Sequence, residues 1–140
     1  MSDKHIIKTT WKGGLAFETD LGGHTLRMDA PVPAGENSGP GPKKLMLASL
    51  SGCTGMDVVS LLKKMRVDVE SVEIEVHGDV TDENPKHYHK MHVIYYFKGR
   101  NLPLEKLEKA VKLSEETLCG VRAVYSKGVE LTSEIIIVGN

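Results

Sequence analysis

Pro42–Arg66 reads PKKLMLASLSGCTGMDVVSLLKKMR, and the fold turns on how this stretch is read. A proline suits the first turn of a helix, where its missing N–H costs nothing, and no further proline follows until Pro85. The spacing predicts a helix from about Pro42 to Met65. At about 100° per residue, Ala48, Ser51, Gly55, Val58 and Leu62 share one side, while Met46, Leu50, Cys53, Met56 and Ser60 share the opposite one. Both sides are apolar or small and no polar face develops before Lys63 and Lys64, the pattern of a central, buried helix. Cys53 sits in its middle between Gly52 and Gly55, each of which costs about 1 kcal/mol against alanine in a helix. Close approach of a substrate or of another backbone would justify that cost.

Working outward, His5 to Asp29 consists of short β-tolerant runs separated by Gly13–Gly14 and Gly22–Gly23, which predicts three antiparallel strands in a meander. Ala30 to Pro42 carries four prolines and three glycines and is a loop of functional length. Downstream, Val69 to Val80 alternates Val72, Ile74 and Val76 with Glu73, Glu75 and His77, a strand with one wet face. The turn TDENPK leads into His89 to Phe97, where Met91, Val93, Tyr95 and Phe97 share a face and complete a hairpin. Leu104, Leu107, Val111 and Leu118 mark an amphipathic helix of about four turns that Gly120 can end. Arg122 to Lys127 reads as a short helical turn, and Val129 to Val138 as a closing strand. The order is α+β.

The whole chain is 140 residues with 40% hydrophobic residues, which suits one domain over 1–140 with a substantial core. Eighteen basic against nineteen acidic residues give a net charge of -1, so no basic field exists to bind nucleic acid or a membrane surface. No apolar run approaches the roughly 18 residues that span a bilayer, and Met1 to Thr10 carries no secretory signal pattern. The expectation is a cytosolic protein. In a reducing compartment a disulfide between Cys53 and Cys119 is transient rather than structural, which tilts the cysteines toward chemistry.

A peroxidatic thiol attacks as a thiolate and becomes a sulfenic acid that a second cysteine resolves. Two cysteines suffice for that cycle. Mid-helix, Cys53 gains little from a helix terminus and needs a cation nearby; Lys12, Arg27, Lys43 and Arg122 are the candidates, and spacing alone does not choose among them. Asp57, one turn after Cys53, opposes thiolate formation unless neutralised.

The succession of a Gly-Pro-Gly-Pro segment, KKLMLASLSGCTGMDV on a central helix, a hairpin, and a helix ending in a second cysteine before a final strand resembles the osmotically inducible protein C and organic hydroperoxide resistance (OsmC/Ohr) family. The SGCTGM motif looks most like the OsmC-like branch, and the resemblance covers essentially the whole chain. It implies an OsmC-like α+β fold with antiparallel sheets packed on a central buried helix, intertwined as a homodimer with two sites at the subunit interface. It also implies that Cys53 is peroxidatic, that Cys119 is resolving, and that organic hydroperoxides are preferred. No cofactor or metal is expected, and the reductant is a dithiol, commonly on a lipoylated protein. Two departures bear on rate. Where the family has a glutamate ten residues before the first cysteine, paired with an arginine that contacts the thiolate, this chain has Lys43. The arginine position is matched by Lys12 in WKGG, with Arg27 as a substitute, and a lysine does not reproduce the planar guanidinium fork. Gly120 stands where many members have proline.

Two rival readings accompany the peroxidase. In one, a non-peroxidatic OsmC-like protein binds a small apolar ligand at the dimer interface and the cysteines merely pack. In the other, His87, His89 and His92 bind metal, although on a strand only the first two share a face. Gly35 to Gly41 lacks the lysine–hydroxyl ending and the preceding strand of a phosphate-binding loop, and 5% aromatic residues offer no stacking platform for bases.

Overall fold

The glycine pairs and the alternation of the first third of the chain fold as expected in the computed structural model, which describes residues 3–139. The first two residues of the Met1–Thr10 stretch lie outside the described residues. Between Met46 and Leu47 the chain divides into two compact units. In the first, β1 (Lys8–Trp11), β2 (Phe17–Leu21) and β3 (His24–Met28) form an antiparallel sheet in that order. Leu21 stands opposite His24, so Gly22 and Gly23 are the whole β2–β3 turn, and their φ values of 60° and 90° are ones that glycine adopts without strain.

After β3 the proline-rich loop winds around Asp29, whose carboxylate accepts the N–H groups of Ala30, Glu36 and Ser38 and the Ser38 hydroxyl. A Cβ at Gly35 would collide with the Ala30 carbonyl and with this carboxylate, so the loop closes there only with glycine. The Ser38 hydroxyl, followed by the N–H groups of Ser38 and Ala30, holds the Asp29 carboxyl down at about 2 against its ordinary 3.8. A lowered acid pKa stabilises the fold above its ordinary value and loses that contribution as the acid is protonated. We therefore predict that acidification from about pH 4 toward pH 2 loosens this unit. The chain's single tryptophan, Trp11 on β1, should report that change by fluorescence, and Asp29→Asn should flatten it.

The second unit takes most of α1 (Pro42–Lys64), followed by β4 (Ser71–Val80), β5 (Tyr88–Lys98), α2 (Leu104–Leu113), a π-helical turn (Ser114–Leu118), α3 (Gly120–Tyr125) and β6 (Glu130–Val138). β4 and β5 make the expected antiparallel hairpin. β6 pairs parallel to β5, with Lys90 opposite Glu130 and Lys98 opposite Val138, so this sheet is mixed rather than antiparallel throughout. The α2–α3 crossover carries the chain back to the starting end of β5, which is what parallel pairing requires. Met91, Val93, Tyr95 and Phe97 on β5 are fully buried and join one core with Leu50, Val58 and Leu62 of α1 and Leu107 and Ala110 of α2.

The buried stripe of α1 is Leu50, Thr54, Val58 and Leu62, a single i, i+4 row that draws on both of the sides read from the sequence. Met56 is 77% exposed and Val59 is also exposed, so within one chain α1 is buried on one face rather than all round. An 18-residue window of α1 has a mean hydropathy of 1.6, and by length and composition the helix could cross a membrane, contrary to the sequence reading. Its inward row instead belongs to the core shared with β5 and α2.

Candidate active site

Cys53 and Asp57 are four residues apart on α1 and therefore lie on one face of it. Opposite them, the helix expected to run on to Leu118 changes geometry at Ser114. The Cys119 N–H bonds to the Ser114 carbonyl five residues back, the wider π turn, which leaves Ser114 fully buried. Cys119 then turns to extended backbone and caps α3, its Sγ accepting the Arg122 N–H at 3.4 Å. The result is that Cys53 Sγ, Cys119 Sγ and a carboxylate oxygen of Asp57 all lie within 4.8 Å of one another. The fold thus gathers two cysteines 66 positions apart in sequence. Cys119, at the end of that turn, is only 4% exposed.

Burial pushes the Cys119 thiol up to about 11, aided by its hydrogen bond to Cys53 and opposed by the Arg122 N–H. Cys119 is thus held as a neutral thiol directed at the other sulfur. A cavity of about 300 Å³ opens beside it, lined among others by Glu115, Gly120, Arg122 and Ser126.

A chain of buried hydroxyls fixes the elements around the sulfurs. Ser114 donates to Asp57 Oδ2 at 2.9 Å, and Tyr95 donates to Glu115 Oε2 at 3.2 Å. Between them, Thr54 Oγ1 lies 2.8 Å from Ser114 Oγ and 2.9 Å from the Tyr95 hydroxyl. Ser114 and Tyr95 give their hydrogens to the carboxylates, so the one hydrogen of Thr54 alternates between two acceptors. Burial, ahead of the neighbouring Glu115 charge, raises the Tyr95 phenol and keeps it a donor. Glu115 also accepts from Ser133 of β6 at 3.2 Å and pairs with Arg122 at 3.4 Å, both members of the pair being largely shielded from solvent. Sequence reasoning missed Thr54, Tyr95, Ser114 and Glu115. Their signal was a hydroxyl in each apolar row, Thr54 among leucines and valines and Tyr95 between Val93 and Phe97, since buried hydroxyls demand partners.

Of the four candidate cations, Arg122 meets Cys119 through its backbone N–H, while its guanidinium pairs with Glu115. Lys12 and Arg27 meet in the first unit, where both approach Glu18, Arg27 at 2.8 Å and Lys12 at 4.0 Å. Together they help to line a cavity of about 400 Å³ with Asp29 and Glu36. Arg27 thus holds a glutamate, although not the one expected after Pro42, where Lys43 lies exposed in the first turn of α1. The histidines do not converge as read: His87 bonds to the Pro85 carbonyl, while His92 is held by Thr132 and Glu134. Among the described residues the trio able to share a metal is Cys53, Asp57 and Cys119.

Sheets with a helical crossover and a thiol pair set between two helices define an α+β protein with a two-cysteine site. A family model described as OsmC-like protein matches residues 35–134, and the chain belongs to that family. Protein YhfA of Escherichia coli (strain K12) is 31% identical over 135 residues, covering 94% of this chain and 96% of that protein. A hypothetical protein from Aquifex aeolicus VF5 matches in structure with a TM-score of 0.84 at 28% identity, over 99% of this chain and 100% of that one. The organic hydroperoxide resistance protein OhrB of Bacillus subtilis shares the fold, with a TM-score of 0.63 at 22% identity over 94% of this chain and 98% of its own.

The raised Cys119 pKa has a consequence in alkali. The folded state keeps its proton to about 11 and the unfolded chain releases it near 9.0, so this contribution to stability is full below pH 9 and lost as pH rises toward 11. Urea midpoints measured from pH 8 to 10.5 should fall more steeply for the wild-type protein than for Cys119→Ser.

Proposed function

We propose that the protein is a cysteine-based thiol peroxidase that reduces organic hydroperoxides. The observation that carries this reading is the adjacency of the two sulfurs, with Cys119 buried, neutral and aimed at Cys53. The Cys53 thiolate attacks the terminal peroxide oxygen, the O–O bond breaks, and the alkoxide leaves and takes up a proton as alcohol. The Cys119 thiol then attacks the Cys53 sulfenic sulfur, giving a disulfide and water. A dithiol such as a dihydrolipoyl group reduces the disulfide through a mixed disulfide and restores both thiols. No metal or organic cofactor enters this cycle. For the cation that stabilises the thiolate, the family pattern points to an arginine, and Lys12 and Arg27 are the candidates.

The proposal includes a homodimer in a reducing, cytosolic compartment. What supports a second copy is the outward side of α1, where Met56 and Val59 are apolar and exposed.

Turnover of cumene hydroperoxide with a dihydrolipoyl reductant is the direct test. Cys53→Ser should abolish it, and Cys119→Ser should reduce about one equivalent and stop, leaving a Cys53 sulfenic acid that dimedone captures. Removing Lys12 or Arg27 should lower the rate about 10- to 100-fold for whichever supplies the cation. Hydroperoxide left unconsumed, with both thiols reduced and a small apolar ligand bound instead, would overturn the reading.

A further inference from the structure

The same three side chains have the composition of a metal site. We propose that the reduced protein binds one zinc ion through Cys53, Asp57 and Cys119, with the fourth position open to water. Thiolate, thiolate and carboxylate are ligands zinc accepts, and three protein ligands with one open position is a common zinc arrangement. Cys53 and Asp57 stand at i and i+4 on α1, so one rigid helix presents two ligands side by side, and the capping residue of α3 supplies the third.

Ligands about 2.0–2.3 Å from a tetrahedral zinc are separated by roughly 3.3–3.8 Å. Three atoms within 4.8 Å of one another reach that spacing by small side-chain adjustments. The surroundings fit as well. Ser114, fully buried, donates to Asp57 Oδ2 and so holds the carboxylate as an outer hydrogen bond orients a metal ligand. The Arg122 N–H donates to the Cys119 sulfur, which favours its thiolate form, and the Arg122 charge itself is spent on Glu115. Two thiolates, a carboxylate and a dication sum to a net charge of minus one at the site. Zinc takes both sulfurs as thiolates, so its binding is opposed by protons. Because the sulfurs cannot be both metal ligands and a disulfide, zinc occupies the reduced form alone.

The site does not depend on peroxidase activity, and its test involves no peroxide. Reduced, metal-free protein is titrated anaerobically with zinc chloride against a chromophoric chelator. One zinc per chain is expected, bound at least about 100-fold more weakly by Cys53→Ser or Cys119→Ser and about tenfold more weakly by Asp57→Asn. Wild-type protein alkylated at its thiols serves if a variant fails to fold, and should lose the ion. Cobalt in place of zinc should give the near-ultraviolet charge-transfer absorption of a thiolate–metal bond. His77→Ala/His92→Ala should bind as the wild type does. Wild-type affinity no greater than that of the cysteine variants, cobalt without thiolate absorption, or loss of zinc in the histidine variant would each overturn the proposal.

Discussion

The contact on which the thiol pair depends is the Thr54 hydroxyl wedged between Ser114 and Tyr95 in an otherwise apolar core. Thr54 follows Cys53 on α1, Ser114 opens the turn that delivers Cys119, and Tyr95 lies in the middle of the central strand. Those two short contacts, which share the one Thr54 hydrogen, therefore set the register of α1 against both the sheet and the second cysteine. A hydroxyl buried without partners costs about 1–3 kcal/mol, so slipping α1 by a residue is penalised more sharply than apolar packing alone would impose. In a helix apolar on both sides, packing alone specifies rotation weakly.

The polar chain also shapes the electrostatics. It ends on two carboxylates, and each has its own arrangement. Glu115 is neutralised by Arg122 and further held by Tyr95 and Ser133. Asp57 has the Ser114 hydroxyl and lies next to the sulfurs. A carboxylate there disfavours a bare thiolate and favours a cation, so one acid penalises the nucleophile when the site is open and helps to hold zinc when the metal is bound. The buried Cys119 fits a resolving role because its sulfur stands within 4.8 Å of that of Cys53, and it gives up its proton as it attacks there.

How far the sequence disclosed this follows element by element. The meander, the β4–β5 hairpin and α1 were legible because glycine pairs, period-two alternation and an uninterrupted apolar stretch are local signals. The parallel docking of β6 was not, because its partner is chosen by the crossover and not by its own isoleucines. The π turn was hidden because SEETL is as suited to an ordinary helix, and the widening answers to the placement of Ser114 in the core. Both cysteines were singled out from the sequence, but the burial of Cys119 was not. Lys12 and Arg27 share Glu18, an association that register across the first sheet decides.

Joining the sulfurs measures the central claim most directly. Reduced protein exposed to one equivalent of cumene hydroperoxide, then alkylated, digested without reductant and mapped by mass spectrometry, should yield one linked peptide pair containing Cys53 and Cys119 from the same chain. Recovery of both cysteines alkylated, or of Cys53 as a sulfinic acid with Cys119 still free, would contradict it.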